Sequence, residues 1–346
     1  TRNPQPATAT RPRNPPPQPA PRHPVRPGPG TSDCHLGWSW RARTRDGGPG
    51  GGRWQSLVPR PIGSVDAVTT AATDLLAPLL DLPGVPESVA EARTAVDQLL
   101  SHRVLRRRSA EVTAESALRG ARASAELEGA GIELERLRGQ LLAGGTITLP
   151  SKDERGAKVV EGAVRLHADL GSVLATWKHS PRQALARLHV LAAADLVPAE
   201  ALGRPRPTGA SYDDPLALGA APDPLEVSAR LDGLSRILTA PTAAPAVVVA
   251  AVVHGELLAL RAFGSSDGLV ARAAARLVMV ERGLDPKAVS APEVGHSELH
   301  HDYADAARDY ISGGPDGVAR WLCHCASAVA LGAREGLAVC EAIQRS

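Results

Sequence analysis

From about residue 65 onward, apolar residues recur every three to four positions along most of the chain, the spacing that gathers them on one side of a helix. Runs over 65–82 and 86–107, divided by Leu82-Pro83-Gly84, predict an N-terminal helical pair spanning 65–108. A third helix is predicted over 109–128, with Glu111, Glu115, Arg119 and Arg122 at spacings of three and four, and Gly129 and Gly131 end it. Residues 132–142 predict a fourth helix closed by Gly144-Gly145, and a loop follows over 146–155. Helices over 157–177 and 181–196 come next. Residues 202–224 hold five prolines and no helical period, which predicts a long loop with room for a short hairpin. Helical pattern returns over 224–238, 245–260, 269–280, 298–311 and 315–343. No internal repeat interrupts this order. The pattern as a whole predicts an all-α domain of about ten helices with one irregular, flap-like loop.

The first sixty residues change the picture. They lack periodicity, and 11 of the chain's 30 prolines fall in the first 30 positions. A segment of this kind cannot bury enough apolar surface to offset its ordering entropy, so a disordered Pro/Arg/Gly-rich tail is expected over 1–60. It reads either as a basic tail that touches nucleic acid or a membrane surface, or as translated upstream sequence foreign to the native protein. The tail carries ten arginines against Asp33 and Asp46, whereas the whole chain has a net charge of only +2. The remainder is therefore mildly acidic, which argues against nucleic acid as a partner of the core.

Four cysteines, at 34, 323, 325 and 340, make no disulfide framework and point to reduced thiols in a cytoplasmic protein. No apolar run reaches the ~18 residues of a membrane span, and the start carries no charged-then-apolar leader. Partners are then a protein target or a second copy of the chain rather than a membrane.

Between the two most apolar helices lies Arg261-Ala262-Phe263-Gly264-Ser265-Ser266-Asp267-Gly268-Leu269-Val270-Ala271-Arg272. Its glycines and serines mark a tight loop, Ser266 or Asp267 is placed to cap the next helix, and free N–H groups at such a helix start suit an anion. Phe263, the chain's one phenylalanine, is expected to anchor the loop in the core.

This stretch resembles the signature of the Fic (Fido) family, HPFx(D/E)GNGRxxR. Phe263, Gly268 and Arg272 fall on the family's Phe, second Gly and last Arg. Upstream, Ser124-Ala125-Glu126-Leu127-Glu128-Gly129 resembles the family's inhibitory-helix pattern, (S/T)xxxE(G/N). His254 matches a His common in the helix before the signature, and the segment from Leu188-His189 through Gly203-Arg204 follows the family's order of helix and flap. The resemblance spans roughly 110 to the C-terminus and implies a Fic-like domain over 109–346, with an inhibitory-type helix over 109–128. It also implies transfer of AMP from ATP, with magnesium, to a protein hydroxyl.

The departures fall on the chemistry. Arg261 stands at the catalytic His position and stays protonated at physiological pH, so it cannot serve as a general base. Ser265 replaces the acidic metal ligand, which leaves no metal site there. Ser266 replaces the first Gly, Asp267 the Asn, and Leu269 the first signature Arg. Loss of a general base alone typically lowers a rate by about 10²–10⁴-fold. Asp267, Gly268 and Arg272 remain as nucleotide-binding candidates, and ATP with magnesium is expected to bind weakly or not at all. In regulated Fic proteins the inhibitory Glu pairs with the last signature Arg, so the resemblance implies an ion pair between Glu128 and Arg272, with Ser124 and Gly129 completing the motif.

Three readings follow: a pseudoenzyme that binds a nucleotide or a protein, an active adenylyltransferase with a rearranged site, and an interaction protein whose groove is closed. In the second, Asp267 would be the metal ligand and His254 the base. A satisfied core position is the alternative for His254. His296, His300 and His301 form HxxxHH but lack the Glu that metalloproteases carry after the first His. Cys323-His324-Cys325 has the wrong spacing for a zinc knuckle. Asp302, Asp305, Asp309 and Asp316 are expected to solvate the surface.

Overall fold

The periodic segments become eleven α-helices among the described residues, 74–345 of the computed structural model. They are α1 (Val85–Ser101), α2 (Ser109–Leu127), α3 (Leu134–Leu142), α4 (Glu154–His179), α5 (Pro181–Ala193), α6 (Pro224–Thr239), α7 (Ala246–Leu260), α8 (Asp267–Glu281), α9 (Pro292–Glu298), α10 (His300–Ser312) and α11 (Pro315–Arg345). No strand occurs among the described residues. The predicted tail over 1–60 lies outside them.

At the centre is α7. Its Val, Ala and Leu residues occupy every face, and nearly all of them are buried, as expected of a helix without a polar side. The short connection after it folds α8 back against α7. Around this pair, α4 packs on α2, α5 and α8, while α11 packs on α1, α7, α9 and α10. Leu188, Leu260, Leu269, Leu277 and Trp321 are fully buried and fix these contacts. Truncating any of the leucines to Ala would cost about 2–5 kcal/mol. No helix among the described residues is long and apolar enough to cross a membrane.

The structure corrects several boundaries. Of the helix expected over 65–82, the described part is only a short 3-10 turn, Ala77–Asp81, opened by Pro78. Asp74 holds its start, accepting the Leu76 N–H at 3.0 Å and the Thr242 hydroxyl at 2.9 Å. The helix expected over 86–107 stops at Ser101, because extended His102 turns the chain so that Val104 and Leu105 enter the core. The loop over 202–224 forms no hairpin. Asp214 accepts the N–H groups of Leu218 and Gly219, and the Tyr212 hydroxyl accepts that of Ala221, so side chains replace the ladder bonds. The helix expected over 298–311 is preceded by a separate one, α9, and Leu299 breaks the two apart.

Candidate functional site

The loop between α7 and α8 is held in a costly backbone shape. Arg261 ends α7 with φ 42° and Ser266 precedes α8 with φ 55°, both left-handed, with left-handed Gly264 between them. A non-glycine residue in that region costs roughly 1–2 kcal/mol, so the surroundings must impose it. The flap-like loop does so from one side. Arg206 donates its backbone N–H to Ala262 O at 2.8 Å and its Nε–H to Arg261 O at 3.0 Å, and the Asp213 N–H reaches Gly264 O at 2.9 Å. From the other side Phe263 stacks on His189 of α5, with ring centroids 4.4 Å apart and planes within 7°. His189 Nδ1 in turn accepts the Gly203 N–H at the root of the flap. Phe263 thus anchors the loop to α5.

The expected cap takes another form. The Ser266 hydroxyl is buried and bonds nothing among the described residues, and so is that of Ser265. Asp267 instead turns its carboxylate back on the loop and accepts the N–H groups of Phe263 at 3.0 Å and Gly264 at 2.8 Å. The loop is therefore shaped for an anion, but two of its amides already hold one that belongs to the chain. Burial pushes the Asp267 carboxyl up to about 7, the two amides pull it down, and nearby Glu128 adds to the rise.

One turn into α8, Arg272 is 2% exposed. Its Nη2 donates to Glu128 Oε1 at 2.6 Å and to Ser124 O at 3.0 Å, its Nε to Ser124 Oγ at 2.7 Å, and its Nη1 to the Tyr303 hydroxyl at 3.2 Å. Ser124 and Glu128 are four residues apart at the end of α2, so both face α8. Gly129, left-handed at φ 85°, then terminates the helix. Glu128 reaches Arg272 by crossing the bare backbone of Gly268, where a Cβ would lie 2.0 Å from Glu128 Oε1. Ser124, Glu128, Asp267, Gly268 and Arg272 are thus brought together.

Arg261 faces this cluster from the end of α7. It is 3% exposed, its Nη1 donates to Gly219 O at 2.7 Å and lies 3.2 Å from Asp214 Oδ2, and its guanidinium sits 5.1 Å from the Tyr212 ring centroid. Its Nε and Nη2 have no hydrogen-bond partner among the described residues. Arg261, Glu128, Asp214, Ser266, Asp267 and Gly268 line a cavity of about 20 Å³, room for a single water-sized particle. Leu269 is wholly buried in the apolar core.

The remaining constellations separate. His254 is buried, and its Nε2 lies 2.7 Å from the Tyr303 hydroxyl. Burial, and then the Arg272 charge, push its imidazole well below 6.5. The HxxxHH spacing does not form one face, because the break at Leu299 separates buried His296 on α9 from exposed His300 and His301 on α10. Cys323 and Cys325 point differently along α11, the first half-buried and the second buried. Asp302 and Asp309 pair with Arg320, and Asp305 with Arg308, on the surface; Asp316 is exposed.

Several residues of the site carry no sequence signal. Tyr303 and Tyr212 meet Arg272 and Arg261 from distant segments, and Asp214 fixes the flap. Arg276 and Glu293 form a second buried ion pair at 3.1 Å. Only the scarcity of tyrosine, three in the chain, could have drawn attention to the first two.

No protein-family model matches the sequence, and neither does any curated protein. Solved structures do match. A Fic family protein from Desulfovibrio desulfuricans G20 is similar over 74% of this chain and 75% of its own, at 20% identity and a TM-score of 0.59. Fic-1 from C. elegans is similar over 77% and 75%, at 17% identity and a TM-score of 0.60. With its helical order and its loop between α7 and α8, this chain has the Fic fold.

Proposed function

We propose that the protein is a Fic-fold pseudoenzyme whose phosphate-binding loop is occupied by its own carboxylates, and that it works by binding a protein partner rather than by transferring AMP. The observation that carries this reading is Asp267, whose carboxylate accepts the amides of Phe263 and Gly264. Glu128 adds a second carboxylate on Arg272, and the remaining space has room for no more than about one water-sized particle. A triphosphate brought here would meet the Glu128 carboxylate, whose like charge repels it strongly in a site of low dielectric, and an Asp267 carboxyl that already takes the loop amides. Arg261 adds no proton acceptor where the family places its general base. The reduced thiols Cys323, Cys325 and Cys340 fit a cytoplasmic setting.

Calorimetry with ATP and Mg²⁺ tests this reading on the wild type and on a Glu128→Gly, Asp267→Asn double variant. The wild type is expected to give no binding heat and to transfer no label from labelled ATP to itself or to added protein. Micromolar binding or label transfer by the wild type overturns the reading. Binding gained by the double variant would show that the two carboxylates are what keep phosphate out.

A further inference from the structure

A second polar cluster lies deeper, where α7, α9 and α11 meet. His254, His296 and Cys325 are all buried, and one ligand atom from each falls within 4.8 Å of the others. These three residues line a cavity of about 20 Å³, room for one atom-sized guest. Each imidazole has one nitrogen held by a neighbour: His254 Nε2 by the Tyr303 hydroxyl at 2.7 Å, and His296 Nδ1 by His324 Nε2 at 3.1 Å. The other two nitrogens, His254 Nδ1 and His296 Nε2, take no hydrogen bond among the described residues. Such outer hydrogen bonds are what orient metal-ligating histidines.

Charge selects the ion. The donor set offers one thiolate and two neutral imidazoles. Arg272, Arg276 and Glu293 also line the cavity; Arg272 is paired with Glu128 and Arg276 with Glu293, so the two ion pairs together carry no net charge. A divalent ion would leave an uncompensated positive charge in the core, which is expensive. A monovalent ion on one thiolate leaves none. Thiolate and imidazole together suit a soft ion, and three ligands suit trigonal coordination. We propose that His254, His296 and Cys325 form a binding site for a single cuprous ion. Binding forms one Cu–S and two Cu–N bonds, releases the Cys325 thiol proton to solvent, and changes no oxidation state. Metal bonds to imidazole and thiolate of about 2.0–2.3 Å place trigonal ligand atoms roughly 3.6–3.8 Å apart, so the three side chains close in by about 1 Å on loading.

The test is anaerobic titration of the full chain with Cu(I) against a chromophoric Cu(I) chelator, followed by X-ray absorption at the copper edge. The expected result is one tightly held equivalent with one sulfur and two nitrogen neighbours. Outer-shell partners alone are worth about 10–100-fold in metal affinity, so Cys325→Ser is expected to weaken binding by more than about 100-fold. Cys323→Ser and Cys340→Ser should leave it unchanged, with circular dichroism confirming that each variant is folded. Sulfur-only coordination, unchanged affinity in folded Cys325→Ser, or preferential loading of zinc at the same three residues would each overturn the proposal. The wild-type absorption spectrum decides even if every variant unfolds.

Discussion

Two buried arginines, one turn apart on α8, make a natural comparison. Arg272 and Arg276 are 2% and 3% exposed, and each meets a glutamate from another segment. Around Arg276 the network is deeply enclosed. Glu293 is 1% exposed; it takes Arg276 on one oxygen and His167 on the other, while Ser116 Oγ and Ala288 O accept from Arg276 Nη2, and Arg276 Nε bonds nothing among the described residues. Burial raises the Glu293 carboxyl, yet Arg276 and His167 outweigh it and hold it at about 2. Around Arg272 the network is open on one side. Glu128 follows the last residue of α2, its side chain is 9% exposed, and it borders the cavity shared with Asp267 and Arg261. The two pairs have the same chemistry, but only one touches a loop shaped for an anion. A buried ion pair is thus no sign of regulation by itself, and its address in the fold supplies the meaning.

The largest expected effect separates the pairs directly. Glu293→Gln leaves the Arg276 charge enclosed and should cost about 3–5 kcal/mol in urea unfolding. Glu128→Gln lets water approach Arg272 from the cavity, so a loss of about 1–3 kcal/mol is expected. Equal losses would break the comparison.

Each pair also crosses a glycine. A Cβ at Gly120 would lie 2.8 Å from Arg276 Nη1 and 2.9 Å from Glu293 Oε2, deep in the core, whereas a Cβ at Gly268 meets the end of Glu128 and, at 3.1 Å, Arg272 Nη1, beside the cavity. Gly120→Ala should therefore cost about 2–3 kcal/mol, as overpacking does, and Gly268→Ala about 1 kcal/mol as Glu128 swings away. Thermal melts of the two variants measure the difference, and the reverse order would refute this account of the open side.

Raising the pH acts on one network only. The Asp267 carboxyl stands at about 7 when folded against 3.8 otherwise, so between those values the native state holds a proton that the unfolded chain has released. Its contribution is fullest below pH ~4 and is lost as pH rises through 7. Between pH 6.5 and 8 stability should fall by about 1 kcal/mol, and Asp267→Asn should flatten that slope. A slope unaltered in Asp267→Asn would place the titrating group elsewhere. The smallest effect is a gain: Ser266→Gly relieves a left-handed residue whose hydroxyl bonds nothing among the described residues, and should add about 0.5–1 kcal/mol, read as a higher Tm.

The sequence by itself determined the helices and the loop between α7 and α8, because periodicity, proline and glycine act over a few residues. It also pointed to Ser124, Glu128 and Arg272, through the resemblance of their two segments to the Fic family's patterns. Where it misjudged, longer-range contacts decided. The chain breaks at His102 because Val104 and Leu105 turn into a core assembled from distant helices, and at Leu299 it breaks between buried His296 and buried Tyr303. The flap loop satisfies its amides through Asp214 and Tyr212 instead of pairing as strands. Nothing local says that Asp267 will turn back on its own loop, or that Glu293 will find Arg276. Nor does it say that His254, His296 and Cys325 will meet across three helices. A buried polar group must find a partner wherever the fold puts one, and that place is set by packing, which no short stretch of sequence encodes.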